Sequence, residues 1–469
     1  MPTGMTTAPG FRTVALIIAS AMFMEQLDGT ILATALPAMA RSFDVSPLHM
    51  SVALTSYMLS LAVFIPASGV IADRYGSRNV FRAAIALFTI GSILCGISGN
   101  LPLLVVSRLL QGIGGAMMVP VGRLVLLRSV PKSELVSAMS WLLVPALIGP
   151  VVGPPLGGFI VTWISWRWIF YINVPIGLAG IWLATKYIPD IRLATRTPFD
   201  RLGFVLSGTS LSCLVFGLEM ASRGVNGILW SWGLMGLGLV VGALYVLHSR
   251  RSEHPILDLS LMRFTTFRLS VYAGSLTRIT AGAVPFLLPL MMQLGFGMSA
   301  AHSGVVTFVS ALGAMLMKAT ASPVLRMWGF RATLVWNSVL SVICIGLCAA
   351  FRPDWPLWAI YTILLLGGFF QSLQFSAYNT VAYADVPSER FSSATSFYTT
   401  FQQLMLSVGI CVAAAALHVS VVWHGRDHAE LGDFSVAFIV VTVLSLIAAP
   451  ICAMLPRNAG AEMSGHRAR

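Results

Sequence analysis

Fourteen apolar runs recur along the chain between Val14 and Leu455, and they constrain the fold more than any other feature. Each is near the length of about 20 residues that a helix needs to cross the roughly 30 Å hydrocarbon core of a bilayer. Backbone groups in lipid must be hydrogen-bonded within the segment, which favours helices, and a β-barrel would show short alternating segments instead. With 57% hydrophobic and 10% charged residues, the chain does not suit a single aqueous core. We therefore predict an all-α polytopic membrane protein.

The distribution of lysine and arginine predicts the orientation of these helices. An even number of spans puts both termini on one side of the membrane. If that side is the cytoplasm, 22 of the 29 Lys and Arg residues fall in cytoplasmic segments and five in outer loops, while Arg108 and Arg278 lie within spans. The positive-inside rule assigns the richer side to the cytoplasm. We expect a multi-pass protein of a bacterial cytoplasmic (inner) membrane with both termini inside, and a net charge of +12 that reflects this orientation rather than nucleic-acid binding.

A weak internal repeat predicts the domain organisation. The stretches GVIADRYGSR and SPVLRMWGFR align Gly76 with Gly329, and each follows the second helix of a six-helix set. Two related bundles around a central site are a common transporter plan. We expect an N-terminal six-helix bundle over 1–190, two inserted transmembrane helices with cytoplasmic linkers over 191–255, and a C-terminal six-helix bundle with a short cytoplasmic tail over 256–469.

Two carboxylates lie near the middle of the first apolar run. Glu25 and Asp28 are three residues apart and so share one helix face. A charge at the centre of a bilayer costs roughly 2.5–3.5 kcal/mol on insertion scales, so each must be paired, protonated or exposed to a wet cavity. Burial and a neighbouring carboxylate both favour the protonated form of a carboxyl group. The pair is thus a candidate proton-coupling or substrate-charge site, and the alternative is a structural ion pair or helix-packing hydrogen bonds.

Five ordered stretches carry a family resemblance: LDGTILATALP, GVIADRYGSRNVFR, SRLLQGIGGAMMVPVGRL, GPVVGPPLGG and WRWIFYINVPIG. They resemble the signatures of the major facilitator superfamily, and in particular its fourteen-helix drug:proton antiporter branch, over nearly the whole chain. SPLHM and GGAMMVPVGRL look closest to bacterial multidrug transporters of that branch. The resemblance implies a major facilitator fold of two six-helix bundles plus two extra central helices. The second repeat departs from the pattern, because Arg326 stands where the first has Asp73.

The resemblance also implies roles for single residues. It makes Asp28 a position of the family's span-1 motif. It also implies that span 4 lies beside span 1 and that Arg108 of span 4 takes part in proton transfer. A guanidinium can hold a carboxylate in two-point geometry, and the alternative for Arg108 is a fixed counter-ion. Which of Glu25 and Asp28 carries the proton stays open.

Two further motifs follow from the same resemblance. The first implies a cytoplasmic latch, a loop that pairs with the neighbouring half of the protein in one conformational state and releases it in the other. The alternative is a plain solvated turn. The latch residues are Gly69, Asp73, Arg74, Gly76 and Arg78. The other is the antiporter motif, in which glycine permits close helix contact and proline breaks the helix ladder. Simple helix packing explains this run equally well; its residues are Gly149, Gly153, Pro154, Gly157 and Gly158.

Four polar residues within spans are candidates for a substrate cavity: Arg278, Gln111, Gln371 and Gln374. Arg278 suits either an anionic substrate or a fixed charge partner, and the glutamines suit either substrate contact or helix packing. Glu219, at the outer end of span 7, is expected to face the surface.

These observations favour a proton-coupled exporter, an antiporter, of lipophilic or cationic drugs that works by alternating access. The alternative is an exporter of a specific anionic metabolite such as an organic acid or its metal chelate, and a less favoured one is a non-transporting receptor or scaffold.

No GxxxxGK[ST], HExxH or GxSxG motif occurs, so we predict neither ATP-driven pumping nor an enzyme. We expect no cofactor and no metal, with the proton gradient as energy source. The expected partners are a small-molecule substrate, protons and the lipid bilayer. We expect a monomer, with or without a periplasmic adaptor.

Overall fold

The computed structural model describes residues 11–129, 135–188, 198–222, 228–387, 390–426 and 428–464, with backbone alone over 127–129, 135–147 and a few single positions. These residues form helices and contain no strand. The helices are α1 (Phe11–Phe43), α2 (Ser51–Tyr75), α3 (Ser77–Ile97), α4 (Leu101–Ser129), α5 (Leu135–Trp163), α6 (Trp168–Tyr171), α7 (Asn173–Tyr187), α8 (Arg201–Ser222), α9 (Ile228–Ser249), α10 (Thr265–Leu290), α11 (Ala300–Cys348), α12 (Leu357–Val381), α13 (Phe391–Trp423), α14 (Leu431–Leu446), α15 (Ala448–Ala453) and α16 (Ala461–Ser464). Short 3₁₀ helices cover Pro47–Met50 and Leu259–Arg263, and a π-helical turn covers Met291–Gly295.

The predicted membrane spans are present as helices. Within the described ranges, 13 helical segments are long and apolar enough to cross a membrane, and Ile148–Trp163 of α5 adds a shorter apolar segment. The sixth predicted span is divided into α6 and α7, and the fourteenth into α14 and α15. The all-α, membrane-spanning fold class is therefore confirmed.

The helices form two bundles and an inserted pair. The first bundle contains α1 to α7, in which α1 packs on α5, α4 and α7. The second bundle contains α10 to α15, in which α10 packs on α13 and α14. In the inserted pair, α8 packs against the seam between α2 of the first bundle and α13 of the second, and α9 packs on α8. The domain boundaries predicted at 190/191 and 255/256 stay predictions.

The turn after the second helix is made by a glycine with positive φ in both bundles. Gly76, between α2 and α3, has φ of 88°, and Gly329, at the break within α11, has φ of 69°. Glycine adopts positive φ without the steric cost that a Cβ brings. The two glycines that the repeat aligns therefore make equivalent left-handed turns.

Among the described residues, the large hydrophobic core that the two bundles share lies at one end of the molecule. We call this the closed end; it is formed by the part of α1 from Ile31 to Ala40 and the part of α10 from Ala283 to Leu290, which belong to one continuous hydrophobic core. The amide of Gln293 also donates a hydrogen bond to the Thr34 carbonyl oxygen there, at 3.0 Å.

The opposite end, which we call the open end, contains the turns at Gly76 and Gly329. Its apolar side chains form two separate cores: one comes from the first bundle alone, and the other from the second bundle and α9 with its linker. Within the part of the chain that the structure describes, neither of these cores crosses between the bundles.

Candidate functional site

Asp28 is the centre of a buried polar network in the first bundle. It is 1% exposed. Its Oδ2 accepts from Nη1 of Arg108 at 2.5 Å, and its Oδ1 accepts from the side-chain amides of Gln111 at 2.8 Å and Asn173 at 3.2 Å. The Asp28 carboxylate is thus bonded by residues of α4 and α7 on both of its oxygens.

Arg108 is held as firmly as its partner. It is fully buried, and its Nε donates to the carbonyl oxygen of Ala53 at 3.0 Å. Its Nη1 is also 2.7 Å from Oε1 of Gln111, and its guanidinium lies 4.3 Å from the centre of the Tyr57 ring. A buried ion pair is tolerated when further hydrogen bonds reach the charged groups. Here they reach both Asp28 oxygens and the Nε and Nη1 of Arg108, while Arg108 Nη2 is buried without a hydrogen bond. The pairing of Arg108 with Asp28 that the sequence suggested is present.

Glu25 lies one helical turn from Asp28 but in different surroundings. It is 8% exposed, and its Oε2 is buried without a hydrogen bond. The Tyr57 hydroxyl is close to this carboxyl group but also forms no hydrogen bond of good geometry. Arg123 of α4 interacts with Glu25 electrostatically and is itself exposed. Of the two carboxyl groups, Glu25 is the one whose protonation breaks no ion pair.

Arg123 also connects this region to the second bundle. It lies near the phenol of Tyr383, which follows α12. Burial raises the pKa of the Tyr383 phenol, so this side chain stays neutral at physiological pH. The region around Glu25 therefore reaches side chains of both bundles on the open side.

Arg278 is the buried cation of the second bundle. It is 3% exposed, and no carboxylate of the described residues lies within salt-bridge distance. Its Nη2 is 3.4 Å from Oδ1 of Asn379, and its Nη1 has no hydrogen bond. Its guanidinium lies 4.0 Å from the centre of the Phe375 ring and 5.7 Å from the centre of the Tyr398 ring. Arg278 is thus a buried cation with polar and aromatic neighbours, not a member of an ion pair.

The three glutamines proposed for a cavity lie in different environments. Gln111 belongs to the Asp28 network described above. Gln374 is fully buried inside the second bundle, where its Oε1 accepts from Asn337 at 2.6 Å and its Nε2 donates to the Tyr378 hydroxyl at 3.0 Å. Gln371 is partly buried, and its Nε2 has no hydrogen bond. Of the three, only Gln371 has a buried amide group that remains available to a ligand.

The glycines of the antiporter motif set the distance between α5 and its neighbours. A Cβ on Gly157 would be 2.6 Å from Thr34 Oγ1 and 2.8 Å from the Ile31 carbonyl oxygen, and one on Gly149 would be 2.9 Å from the Cβ of Gln26. Gly153, between them, faces Thr30 in the same way. This glycine face lets α1, which carries Glu25 and Asp28, pack directly on the backbone of α5.

The opposite side of the motif faces the second bundle. A Cβ on Gly158 would be 2.9 Å from the Cα of Ala301, and the backbone of Pro154 is in contact with Gly304 of α11. α5 is therefore packed tightly against α1 on one side and α11 on the other.

The residues of the proposed latch lie in the turn between α2 and α3 at the open end. Gly76 makes the turn, Asp73 is partly buried, and Arg74 is exposed. Arg78 is partly buried, and its Nε has no hydrogen bond. Gly69 faces open space, since a Cβ there would have no neighbour within 4 Å. The latch function stays a prediction.

The expectation for Glu219 is wrong. It is 1% exposed, and it accepts from Ser51 Oγ at 2.5 Å, Thr55 Oγ1 at 3.3 Å and Cys411 Sγ at 3.1 Å. The sequence shows a carboxylate at the end of an apolar run, but it does not show that α8 packs against the seam between the bundles. That packing is what buries the side chain.

Sequence reasoning also missed three neutral residues of these sites: Asn173, Tyr57 and Asn379. Asn173 lies in the quoted stretch WRWIFYINVPIG, where it is the polar residue of an apolar segment, and this signal could have marked it. Tyr57 and Asn379 carry no comparable signal, because polar residues are also common in helix contacts.

Comparison with known proteins identifies a family and similar transport proteins. The model of the Major Facilitator Superfamily matches residues 18–410 and, in a second match, residues 271–467. Multidrug resistance protein MdtD of Salmonella heidelberg is 36% identical over 458 residues, which cover 95% of each chain. The protein of the same name from Escherichia coli O6:H1 is 39% identical over 413 residues, which cover 86% of this chain and 87% of the relative.

Solved structures with little sequence identity share the fold. The nucleoside transporter NupG superposes with a TM-score of 0.67 at 15% identity, covering 95% of this chain and all of that chain. A D-xylose–proton symporter superposes with a TM-score of 0.68 at 13% identity, covering 96% and 98% of the two chains.

Proposed function

This chain belongs to the Major Facilitator Superfamily, and on that premise we propose that it is a proton-coupled antiporter that exports lipophilic or cationic drugs by alternating access. Its family and its relatives make it a membrane transporter of the multidrug type rather than an enzyme. The proton coupling, the direction of transport and the substrate class are the proposed part.

The observation that carries the proposal is the contrast between Glu25 and Asp28 on one face of α1. Asp28 is bonded on both oxygens and paired with Arg108, whereas Glu25 has a buried oxygen without a hydrogen bond. A carboxyl group in this position can gain or lose a proton without breaking an ion pair. We assign proton exchange to Glu25 in this conformation, and to the Asp28–Arg108 pair the task of holding the neighbouring charge in place.

The difference between the two ends supports alternating access. The bundles share one core at the closed end and have separate cores at the open end. The open end contains the arginine-rich turn with Arg74 and Arg78, so the positive-inside rule assigns it to the cytoplasm. In this assignment the protein faces inward, and a substrate enters from the cytoplasm or the inner leaflet of the bacterial inner membrane.

The test is a proton-flux measurement in liposomes that contain the purified protein and an interior pH probe. A lipophilic cation is added to the wild type, Glu25→Gln, Asp28→Asn and the control Glu253→Gln, which alters an exposed carboxylate outside the spans. We expect cation-driven proton flux in the wild type and the control, and its loss in Glu25→Gln. A wild type that moves no protons with any cation contradicts the function, and unchanged flux in Glu25→Gln contradicts the assignment.

Arg278 favours a second candidate, the export of an anionic metabolite such as an organic acid or its metal chelate. A buried guanidinium without a carboxylate partner attracts an anionic ligand, and its Nη1 is available for one. In the same liposomes, organic anions should then drive proton flux that Arg278→Gln abolishes while cation-driven flux persists. Cation-driven flux alone, unaffected by Arg278→Gln, excludes this candidate.

A further inference from the structure

We propose that Glu219 holds the closed end of the protein shut, and that through it the inserted helix pair controls the opening of that end. This inference rests on the alternating-access part of the proposed function. It concerns a carboxylate that neither the proton site nor the candidate substrate site uses.

Glu219 is bonded to both bundles at once. Ser51 and Thr55, its donors at 2.5 and 3.3 Å, belong to α2 of the first bundle. Cys411, its donor at 3.1 Å, belongs to α13 of the second bundle. The carboxylate itself belongs to α8, so three helices from three parts of the fold meet at one side chain.

These bonds lie where the bundles must separate. Ser51 directly follows Met50, which belongs to the core that crosses the closed end, and Ile410, next to Cys411, belongs to the same core. When the closed end opens, α2 and α13 move apart, and a single carboxylate cannot keep its donors on both helices. Opening therefore requires that Glu219 lose at least one set of bonds.

Apolar contacts keep α8 at this seam. Val215 of α8 packs with Leu59 of α2 and Leu404 of α13 in a small separate cluster. Val215 and Glu219 are one helical turn apart and so lie on the same face of α8. The apolar cluster positions the helix, and the carboxylate supplies the directional bonds to the two bundles.

The variant Glu219→Ala should fold, because its donors have other acceptors. Ser51 Oγ is also 2.8 Å from the Leu48 carbonyl oxygen, and Thr55 Oγ1 is 3.3 Å from the Val52 carbonyl oxygen. A hydroxyl has one proton to donate, so each already divides it between two acceptors. Loss of Glu219 leaves these two hydroxyls hydrogen-bonded within α2.

Spin-label distances across the closed end test the proposal. Labels are attached to a ketone-bearing amino acid that replaces Gly99 in the first bundle and Gly432 in the second, so the native cysteines stay in place. Both positions are exposed, and an added Cβ at either would have no neighbour within 4 Å. The variants are Glu219→Ala, the milder Glu219→Gln, and the control Ser210→Ala, which removes a bond between α8 and α9 only. Distances are measured at acidic and alkaline pH, with and without a lipophilic cation.

We expect the longer-distance population to rise about tenfold relative to the shorter one in Glu219→Ala, the size of effect that loss of hydrogen bonds to a charged group gives. The rise should be smaller in Glu219→Gln and absent in Ser210→Ala. Wild-type distances that respond to pH or cation, together with an unchanged Glu219→Ala, overturn this inference and leave the proposed function intact. Wild-type distances that never change overturn alternating access and this inference together.

Discussion

The first helices of the two bundles carry opposite charges at equivalent positions. The spacing that separates Gly76 from Gly329 also separates Glu25 of α1 from Arg278 of α10. Glu25 Oε2 and Arg278 Nη1 are both buried without a hydrogen bond. Arg108 also has a buried nitrogen, Nη2, without a hydrogen bond. It differs from both because its guanidinium forms an ion pair with Asp28 and donates to backbone and amide oxygens.

This comparison separates charges that hold the fold from charges that are available to a ligand. A buried ion pair with satisfied partners costs several kcal/mol to break, because one partner is left uncompensated. A buried ion without a counter-ion is a cost to the fold from the start. Arg278 has no carboxylate partner among the described residues, and Glu25 has only the electrostatic interaction with the exposed Arg123. Neither group stabilises the fold as the Asp28–Arg108 pair does, so their place in the structure points to protons and substrates.

The largest effect is expected from replacing the two arginines. Arg108→Met leaves Asp28 buried without its counter-ion, and we expect a loss of about 3–5 kcal/mol in the free energy of unfolding. Arg278→Met removes an uncompensated cation, so its stability should match or exceed that of the wild type. Denaturant unfolding in detergent, followed by tryptophan fluorescence, measures both.

The double variant Asp28→Leu/Arg108→Met is the control for the first value, since it removes both charges and should recover part of the stability. Equal losses for the two single arginine variants contradict the division between paired and available charges.

A smaller effect is expected from the glycines that support the two charged helices. An added Cβ at Gly157 is 2.8 Å from the Ile31 carbonyl oxygen of α1, and one at Gly409 is 2.8 Å from the Ile279 carbonyl carbon of α10. Each Gly→Ala change should cost about 1–3 kcal/mol by pushing a helix backbone away. Gly157→Ala should also reduce proton flux, because the helix that it displaces carries Glu25 and Asp28.

Gly236→Ala in α9 is the matched control, because its Cβ enters open space within a helix. It should be neutral or stabilise the protein by up to about 1 kcal/mol through helix propensity. A Gly157→Ala variant as stable and active as Gly236→Ala shows that α5 does not position α1.

The smallest effect is expected at the turns of the open end. Asp73 in the first turn corresponds to Arg326 in the second, and only the first has the carboxylate that a latch requires. A charge contact at the surface is worth about 0.2–1 kcal/mol. Asp73 is only partly buried, so Asp73→Asn should change the ratio of the two conformations by about fivefold at most. Arg326→Gln should leave that ratio unchanged in a spin-label measurement across the open end. Equal shifts in the two variants remove the distinction between the turns.

The sequence by itself determined the helical membrane fold and the pairing at its centre. Apolar runs of membrane-spanning length admit few structures other than helices, because lipid offers no partner for backbone groups. A charge within such a run is costly unless it has a partner, and few charged residues lie within the spans. The pairing of Asp28 with Arg108 was predicted from those few residues and from the family resemblance. The two glycine turns followed from the repeat.

Only the tertiary structure decided how each charge is used. Glu25 and Asp28 share a helix face, yet Gln111 and Asn173 reach one of them and leave an oxygen of the other without a hydrogen bond. The sequence predicts a surface position for Glu219, but the packing of α8 at the seam between α2 and α13 buries it. The physical reason is that hydropathy reports whether a segment lies in the membrane, whereas the environment of a side chain depends on which neighbouring helices approach it and from which side.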